Sequence, residues 1–497
     1  MPRRADRMPL LDLDIDEAAP APLHRQLYEG LRKAILAGRL APRGRLPSSR
    51  ALASELGLSR NTVLAAFEQL ASEGYLEARR GSGSRVAATL PDLSPPRRRA
   101  PSRSEAQAKP AVGLSARGLS LSKASDARAT RGDGAFAPAI PDLDIFPFEL
   151  WSRLLARSWR RPTLAMATGR DAGGYLPLRA AIADYLRRVR AVRCEPEQVI
   201  VLSGIRQAVD LAVRLLLDAG DRVWLEDPGY AGVREVLRAS GARLVPVPVD
   251  GEGLSVKAGA RKAPDARLVC VAPSHQYPLG TVMTLGRRLE LLAWARQAGA
   301  WVIEDDYDSE FRYAGRPLAA LQGLDEDGRV IYVGSFSKVL FPSLRLGYLV
   351  APPALVDAFT AARSTLDDHA AMTAQPALAA FIAEGHFAAH IRRTRKLYAA
   401  RQAALLAAAD RHFQGLLELA PAPAGMHLLA GLAPALAARM DDRAATARAA
   451  AAGITVSPLS AFQMTSPRRQ GLLLGYAGVP EDRIEPAAIR LAAALRP

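Results

Sequence analysis

The sequence predicts an α/β protein in two units. One is a small helical unit with a β-hairpin; the other is a large unit on a mainly parallel, doubly wound sheet. Three observations carry this reading. Apolar runs of four to six residues, among them Val199 to Leu202, Arg222 to Leu225, Arg267 to Ala272 and Val330 to Val333, alternate with helical patterns across residues 136–497. Three short helical stretches with serine caps and glycine stops crowd into residues 18–89. Between them, residues 90–135 are rich in Pro, Ser, Ala, Gly and Arg and hold no sustained apolar period, so they cannot support a core.

The 497 residues suit two or three domains, and 49% hydrophobic with 23% charged residues reads as globular. No stretch approaches the roughly twenty apolar residues of a membrane helix, so no membrane partner is expected. Arg3, Arg4 and Arg7 are followed by Asp12, Asp14, Asp16 and Glu17 rather than an apolar block, so no export signal is read and a cytoplasmic protein is expected. Cys194 and Cys270 sit in or beside apolar runs and read as buried thiols of a reducing compartment, with no metal site. The net charge is +16. Residues 1–89 carry 14 Lys and Arg against 10 Asp and Glu, residues 90–135 carry 9 against 4, and the remainder 43 against 36. Basic charge is densest toward the N-terminal third, which suits a polyanion partner there.

In the small unit, Leu23, Leu27, Leu31, Ile35 and Leu36 have the spacing of an amphipathic helix, which Gly38 ends. Ser48 and Ser49 cap a second helix, Arg50 to Leu56, which Gly57 stops. Ser59 caps a third, Arg60 to Gly74, with Val63, Phe67 and Leu70 on one face. The last two form a helix-turn-helix whose second helix opens on Arg60-Asn61-Thr62. Arginine takes guanine bidentately, asparagine takes adenine, and hydroxyls and free N–H groups take phosphate. Tyr75 to Ala87 alternates like a hairpin, with a basic tip at Arg79-Arg80-Gly81. The stretch "GRLAPRGRLPSSRALASELGLSRNTVLAAFEQLASEGYLEARRGSG" resembles the winged helix-turn-helix of the GntR family. The resemblance implies contacts to double-stranded DNA from Arg50, Ser59, Arg60, Thr62, Arg80 and Gly81, beside the Asn61 read from chemistry. Where some relatives carry a further arginine on the recognition helix, this chain has Leu64. Residues 90–135 read as a flexible basic linker.

In a doubly wound sheet ligands sit at the carboxyl ends of strands, and the residues after each apolar run carry chemistry. Ser203-Gly204-Ile205 opens a helix, where free N–H groups hold a phosphate. Tyr230 follows the rigid turn Asp227-Pro228-Gly229 and could stack on a ring or be a plain turn tyrosine. His275, in "APSHQYPLG", brings a polar group to the same edge. Glu304, Asp305, Asp306, Asp308 and Glu310 follow a buried run, so at least one must point into the sheet mouth and needs a cation. A protonated pyridine nitrogen is one such cation; a metal would want a nearer histidine. After Val330 to Val333 come Ser335, Ser337 and Lys338, with Arg345 seven residues on. A partly desolvated lysine loses its proton readily and forms a Schiff base, and pyridoxal phosphate is the usual aldehyde.

The large unit resembles fold-type-I aminotransferases, through "VLSGIRQAVDLAVRLLLDAGDRVWLEDPGYAG", "APSHQYPLGTVM", "VIEDDYDSEFRY" and "GSFSKVLFPSLRLGYLV". With the small unit ahead of it the chain looks like the MocR/GabR subfamily of GntR regulators. The resemblance implies Lys338 as the Schiff-base lysine of pyridoxal 5'-phosphate, Asp305 on the pyridine nitrogen, Tyr307 on the phenolic oxygen and Tyr230 stacked on the ring. Ser203, Gly204, Ser335 and Arg345 would surround the phosphate. It also implies a homodimer in which the linker carries the DNA-binding unit to the partner chain. Two departures stand out. Tyr277 precedes Pro278 where aminotransferases place an asparagine. Leu472 to Tyr476 lacks the arginine that clamps a substrate carboxylate, for which Arg468 and Arg469 lie just upstream. The expected function is a transcription regulator sensing an amine, an amino acid or a B6 vitamer, with at most slow or partial transamination. The rivals are an active aminotransferase with an appended DNA-binding unit, and a DNA-binding protein whose large unit is only a dimerisation scaffold.

Overall fold

A computed structural model describes residues 13, 15–16, 18–79, 83–90, 113–123, 134–169, 171–315, 319–465 and 469–496. The contacts divide the chain into two compact units, residues 1–112 and 113–497.

The small unit holds helices α1 (Leu23–Leu36), α2 (Ser49–Leu56) and α3 (Arg60–Ser72), then strands β1 (Leu76–Arg79) and β2 (Gly83–Val86) paired antiparallel. The caps act as the sequence predicts. Ser48 Oγ accepts the Ala51 N–H at 3.2 Å, and Ser59 Oγ accepts the Thr62 N–H at 3.1 Å. Gly57 ends α2 at φ 68°, a conformation a side chain resists. Leu27, Leu31, Ile35, Val63, Phe67, Leu70, Leu76 and Val86 form this unit's own core. Replacing Ser59 with alanine removes a partner from the first turn of α3. Loss of about 1 kcal/mol from the small unit, seen as an earlier melt of that unit, is the expected result.

The large unit is built on an eight-stranded sheet. Its strands are β3 (Val199–Leu202), β4 (Arg222–Asp227), β5 (Arg243–Asp250), β6 (Gly253–Leu254), β7 (Leu268–Val271), β8 (Trp301–Asp306), β9 (Val330–Ser335) and β10 (Gly347–Val350), in the order β3-β10-β9-β8-β7-β4-β5-β6. The pairs β4–β5, β4–β7, β7–β8 and β8–β9 are parallel. β10 runs antiparallel to both its neighbours. The physical reason is the connection: residues 336–346 are too few for a crossover helix, so the chain must turn back. Gly347 makes the turn fit, because a Cβ there would stand 2.9 Å from Gly204 Cα and 2.8 Å from the Gly334 carbonyl oxygen.

Side chains alternate between two apolar layers. Leu225, Cys270, Ile303 and Val333 pack with helices Ile205–Leu216, Ala231–Ser240 and Val356–Asp367. Trp224, Val269 and Val302 pack on the other face with helix Leu285–Ala298. There Trp224 stacks on Trp294, ring centroids 3.6 Å apart, and donates from Nε1 to the Ala263 carbonyl at 2.9 Å. A second, antiparallel sheet, in the order β11 (Leu417–Glu418), β12 (His427–Leu432), β14 (Gly471–Gly475) and β13 (Ser457–Pro458), packs with helices His386–His412 and Glu481–Leu495.

The segment read as linker differs in one place. Residues Ala116–Lys123 form a helix packed against helix Ala231–Ser240, and the Arg117 guanidinium reaches the Ser240 carbonyl at 3.5 Å. Arginine- and serine-rich composition conceals a helix whose partner lies more than a hundred residues away.

Candidate functional site

On the small unit, Arg50, Ser59, Arg60 and Asn61 are exposed and Thr62 is half-buried, at the start of α3 and on α2. The Ser59 and Thr62 hydroxyls bond each other at 2.8 Å, so part of their capacity already serves the cap. Leu64 is half-buried. Arg80 and Gly81 lie outside the described residues.

On the large unit the strand ends bring the remaining residues to one edge. Gly204 (φ 127°) precedes helix Ile205–Leu216, whose first-turn N–H groups have no partner within the helix. A Cβ at Gly204 would meet nothing within 4 Å, so the turn opens onto space. The Ser203 N–H and hydroxyl both donate to Gln207 Oε1, at 2.8 and 3.0 Å, and Gln207 donates onward to Asp367 at 3.1 Å. Tyr230 caps helix Ala231–Ser240 and meets Tyr277 edge-on, centroids 5.9 Å apart. Ile205, Tyr230, Tyr277 and Asp305 line one cavity together with Glu226 and Phe462.

The five carboxylates from Glu304 to Glu310, the first three within β8, separate cleanly. Glu304 accepts the Leu321 and Gln322 N–H groups at 2.8 and 2.9 Å. Asp306 pairs with buried Arg190 at 2.9 Å and accepts from the Tyr332 hydroxyl; Arg190 also donates to Ser274 at 2.7 Å. Asp308 lies 2.8 Å from His275 Nδ1, and Glu310 accepts from Tyr185 at 3.3 Å. Strand alternation turns Asp305 to the opposite face from Glu304 and Asp306, into the cavity.

Burial, with Asp306 and Asp308 near, pushes the Asp305 carboxyl up to about 8, against the pull of Lys338. Such a group keeps its proton longer in the folded than in the unfolded chain. Stability therefore falls as pH rises from about 4 toward about 8. Asp305→Asn in the cofactor-free protein is expected to raise the melting temperature at pH 8 and far less at pH 5, which paired thermal melts will read.

Lys338 stands on the reversal between β9 and β10, half-buried, with Nζ donating to the Ala139 carbonyl at 3.0 Å. The Ser337 N–H donates to Ser335 Oγ at 3.2 Å. Arg345 is exposed and ends the turn Pro342–Leu344 at φ 50°. Tyr307 and His275 meet at 2.9 Å, with His275 1% exposed. Arg469 is exposed, and its carbonyl accepts from Gln463 at 3.1 Å; Arg468 lies outside the described residues. Among the described residues no group of three or more His, Cys, Asp and Glu suits a metal ion, and no helix is long and apolar enough to cross a membrane.

Several residues at this edge escaped sequence reasoning. Glu226, next to last in β4, lines the cavity; its carboxylate accepts from Gln276 at 3.2 Å, and burial holds its pKa at about 8. Its place after an apolar run was the available signal. Phe462 and Met464 come from the segment after β13, which is clamped to β4. Asp227 accepts from the Met464 N–H at 2.7 Å and the Thr465 hydroxyl at 2.6 Å, and Arg234 donates to the Ala461 carbonyl at 3.1 Å. Nothing local in the sequence announces that clamp.

A helix-turn-helix with a β-hairpin, joined to an aminotransferase-type sheet, defines a DNA-binding regulator with a pyridoxal 5'-phosphate domain for sensing a small molecule. The chain matches the model for bacterial regulatory proteins of the gntR family over residues 23–86 and that for aminotransferase class I and II over residues 166–491. It is 44% identical over 94% of its length to the probable rhizopine catabolism regulatory protein MocR of Rhizobium meliloti, covering 92% of that protein. It is 33% identical over 95% of its length to the HTH-type pyridoxine biosynthesis transcriptional regulator PdxR of Corynebacterium glutamicum, covering 96% of it. Among solved structures, LysN, the α-aminoadipate aminotransferase of Thermus thermophilus complexed with N-(5'-phosphopyridoxyl)-L-leucine, aligns with TM-score 0.66 at 30% identity, over 73% of this chain and 91% of that one. The kynurenine aminotransferase of Pyrococcus horikoshii aligns with TM-score 0.67 at 26% identity, over 74% and 92%. The chain belongs to the MocR type of gntR-family regulators.

Proposed function

We propose that Lys338 holds the cofactor covalently and that an amine or amino acid is read by taking the place of its amine. The observation that carries this is that Tyr230 and Asp305 line one cavity, with Tyr307 and Lys338 just past the ends of strands β8 and β9 at the same sheet edge, in a chain whose other unit exposes Arg60 and Asn61. The residues fit the group. Asp305 is a buried carboxyl in the cavity whose ionised form a protonated pyridine nitrogen would stabilise. Tyr230 offers a ring face to stack on, and the turn at Gly204-Ile205 offers N–H groups to a phosphate, with Ser203, held by Gln207, and Ser335, Ser337 and Arg345 on the neighbouring strand ends. The cofactor supplies an aldehyde carbon that can exchange one amine for another.

The chain's own residues do the rest. Tyr230 and Tyr277 would hold the ring at the strand ends, Phe462 would help to exclude water, and Asp305 would keep a proton on the ring nitrogen. A lysine that gives up its place has the Ala139 carbonyl within reach, at 3.0 Å. That carbonyl belongs to a residue at φ 60°, so a change in the Lys338 contact acts on strained backbone. Movement there, passed to the chain leading to the small unit, would bias DNA binding. The protein acts in the cytoplasm, where its operator is, as a homodimer whose paired small units read two half-sites.

The relatives named as regulators, and the apolar strand Gly471–Gly475 where aminotransferases carry their carboxylate-clamping arginine, support a sensor rather than an enzyme. The cofactor apparatus itself favours a second reading, slow transamination. Incubation with an amine donor and a keto acid separates them, because repeated turnovers at enzymatic rates would overturn the sensor reading. For DNA, Arg60→Ala is expected to weaken operator binding by about 1–3 kcal/mol, roughly 10- to 100-fold, without changing the melt of the small unit. Titration of labelled operator checks it.

A further inference from the structure

Two polar groups meet at one ring nitrogen. His275 Nδ1 lies 2.8 Å from Asp308 Oδ2 and 2.9 Å from the Tyr307 hydroxyl, and the side chains of His275 and Asp308 are each 1% exposed. One nitrogen carries either a hydrogen or a lone pair, so it cannot serve both partners in opposite senses.

The other side of the ring decides between them. Among the described residues His275 Nε2 meets no hydrogen-bond partner. Gly425 and Gly280 lie against it: a Cβ at Gly425 would fall 2.6 Å from Nε2, and one at Gly280 would fall 3.4 Å from it. A hydrogen on Nε2 would be a buried donor without an acceptor, and it would leave the Nδ1 lone pair facing a carboxylate. A hydrogen on Nδ1 satisfies Asp308 and leaves only a lone pair buried at Nε2, the less costly orphan. The remaining neighbours do not alter this choice. The His427 ring, 5.5 Å away, is kept neutral by burial, with His275 and Lys338 adding to hold it near 3.

With Nδ1 donating to Asp308, Tyr307 presents its oxygen to the histidine, and its own proton has two places to go: the Asp308 carboxylate, to which the Tyr307 hydroxyl also hydrogen-bonds, or the cofactor side of the cavity. We propose that Asp308 is a positioning residue: by holding the His275 proton on Nδ1 it denies Tyr307 an acceptor there and turns the Tyr307 proton toward the cofactor's phenolic oxygen. This rests on the assignment of Lys338 and Tyr307 to the cofactor made above. It adds the pair behind Tyr307 that sets how that tyrosine is used.

The test is the pH titration of the visible absorption band of the purified full-length holoprotein, which needs no turnover. A donor on the phenolic oxygen weakens the hold of that oxygen on the proton it shares with the lysine nitrogen. Asp308→Ala frees His275 to move its hydrogen to Nε2 and to accept from Tyr307. The midpoint is then expected to rise by about one pH unit. Tyr307→Phe should raise it similarly, and Asp308→Ala added to Tyr307→Phe should raise it no further. Asp308→Asn, which keeps the shape of the side chain, should shift it in the same direction by less, and it serves if the alanine variant does not fold. The Asp308 carboxylate also interacts with the Tyr307 hydroxyl. If that is where the phenol places its proton, Asp308→Ala releases it to the pocket and the midpoint falls. A fall, no shift with normal melting, or an equal shift in the Tyr307→Phe background overturns the proposal. A wild-type protein with no visible band overturns the Lys338 reading first, and this one with it.

Discussion

Alanine at position 338 is expected to give a folded protein without colour. Lys338 is half-buried on the β9–β10 reversal, and its amine is bonded to the Ala139 carbonyl rather than packed in the core, so its loss removes chemistry more than structure. Retention of the cofactor should fall by on the order of 100-fold or more, since a covalent link within the chain replaces a bimolecular encounter. Borohydride should trap no adduct, and amines should no longer alter operator binding. The melting temperature should move little. An unchanged amine response in the variant would mean that the effector acts somewhere other than this lysine.

A different kind of loss is expected at Arg190. Its side chain is 6% exposed and bonds Asp306, whose side chain is 1% exposed, and it also donates to Ser274. Arg190→Met keeps much of the volume but strands a carboxylate in the interior, where removal of one partner of a buried pair costs about 3–5 kcal/mol. The expected result is a melt of the large unit many degrees earlier, with the small unit unaffected because it has its own core. Arg190→Met combined with Asp306→Leu should recover much of the loss. The exposed pair Arg25–Glu29 is the control: its side chains are 67% and 51% exposed, and alanine at Arg25 should change stability by no more than about 1 kcal/mol.

The small unit was legible because its signals are local. Ser48, Gly57 and Ser59 mark helix ends by hydrogen bonds within three or four residues and by one positive φ, and Leu27 to Leu70 follow helical spacing. The strands of the large sheet were legible for a similar reason, since apolar runs between polar turns mean burial on both faces. The rule that strand ends carry ligands placed Tyr230, Asp305 and Lys338 on one edge. It could not say which of five carboxylates faces the cavity. That is settled by the alternation of β8, where Ile303 and Asp305 share a face, together with the partners Leu321, Arg190 and His275 that occupy the others. The clamp of Asp227 and Arg234 on residues 461–465 was beyond reach, because it joins segments more than two hundred positions apart. The helix Ala116–Lys123 was hidden by a composition that reads as linker.

The stacked pair Trp224 and Trp294 has an optical consequence. All five tryptophans, Trp151, Trp159, Trp224, Trp294 and Trp301, belong to the large unit, so the small unit contributes no indole emission. Indole fluorescence therefore follows one unit alone, and Trp224, buried beneath Trp294, lies two residues before Glu226, which lines the cavity. A lysine-bound pyridoxal absorbs where indole emits, so its arrival should quench that light by energy transfer. The protein thus carries its own gauge of cofactor loading, blind to the DNA-reading unit and needing no attached dye.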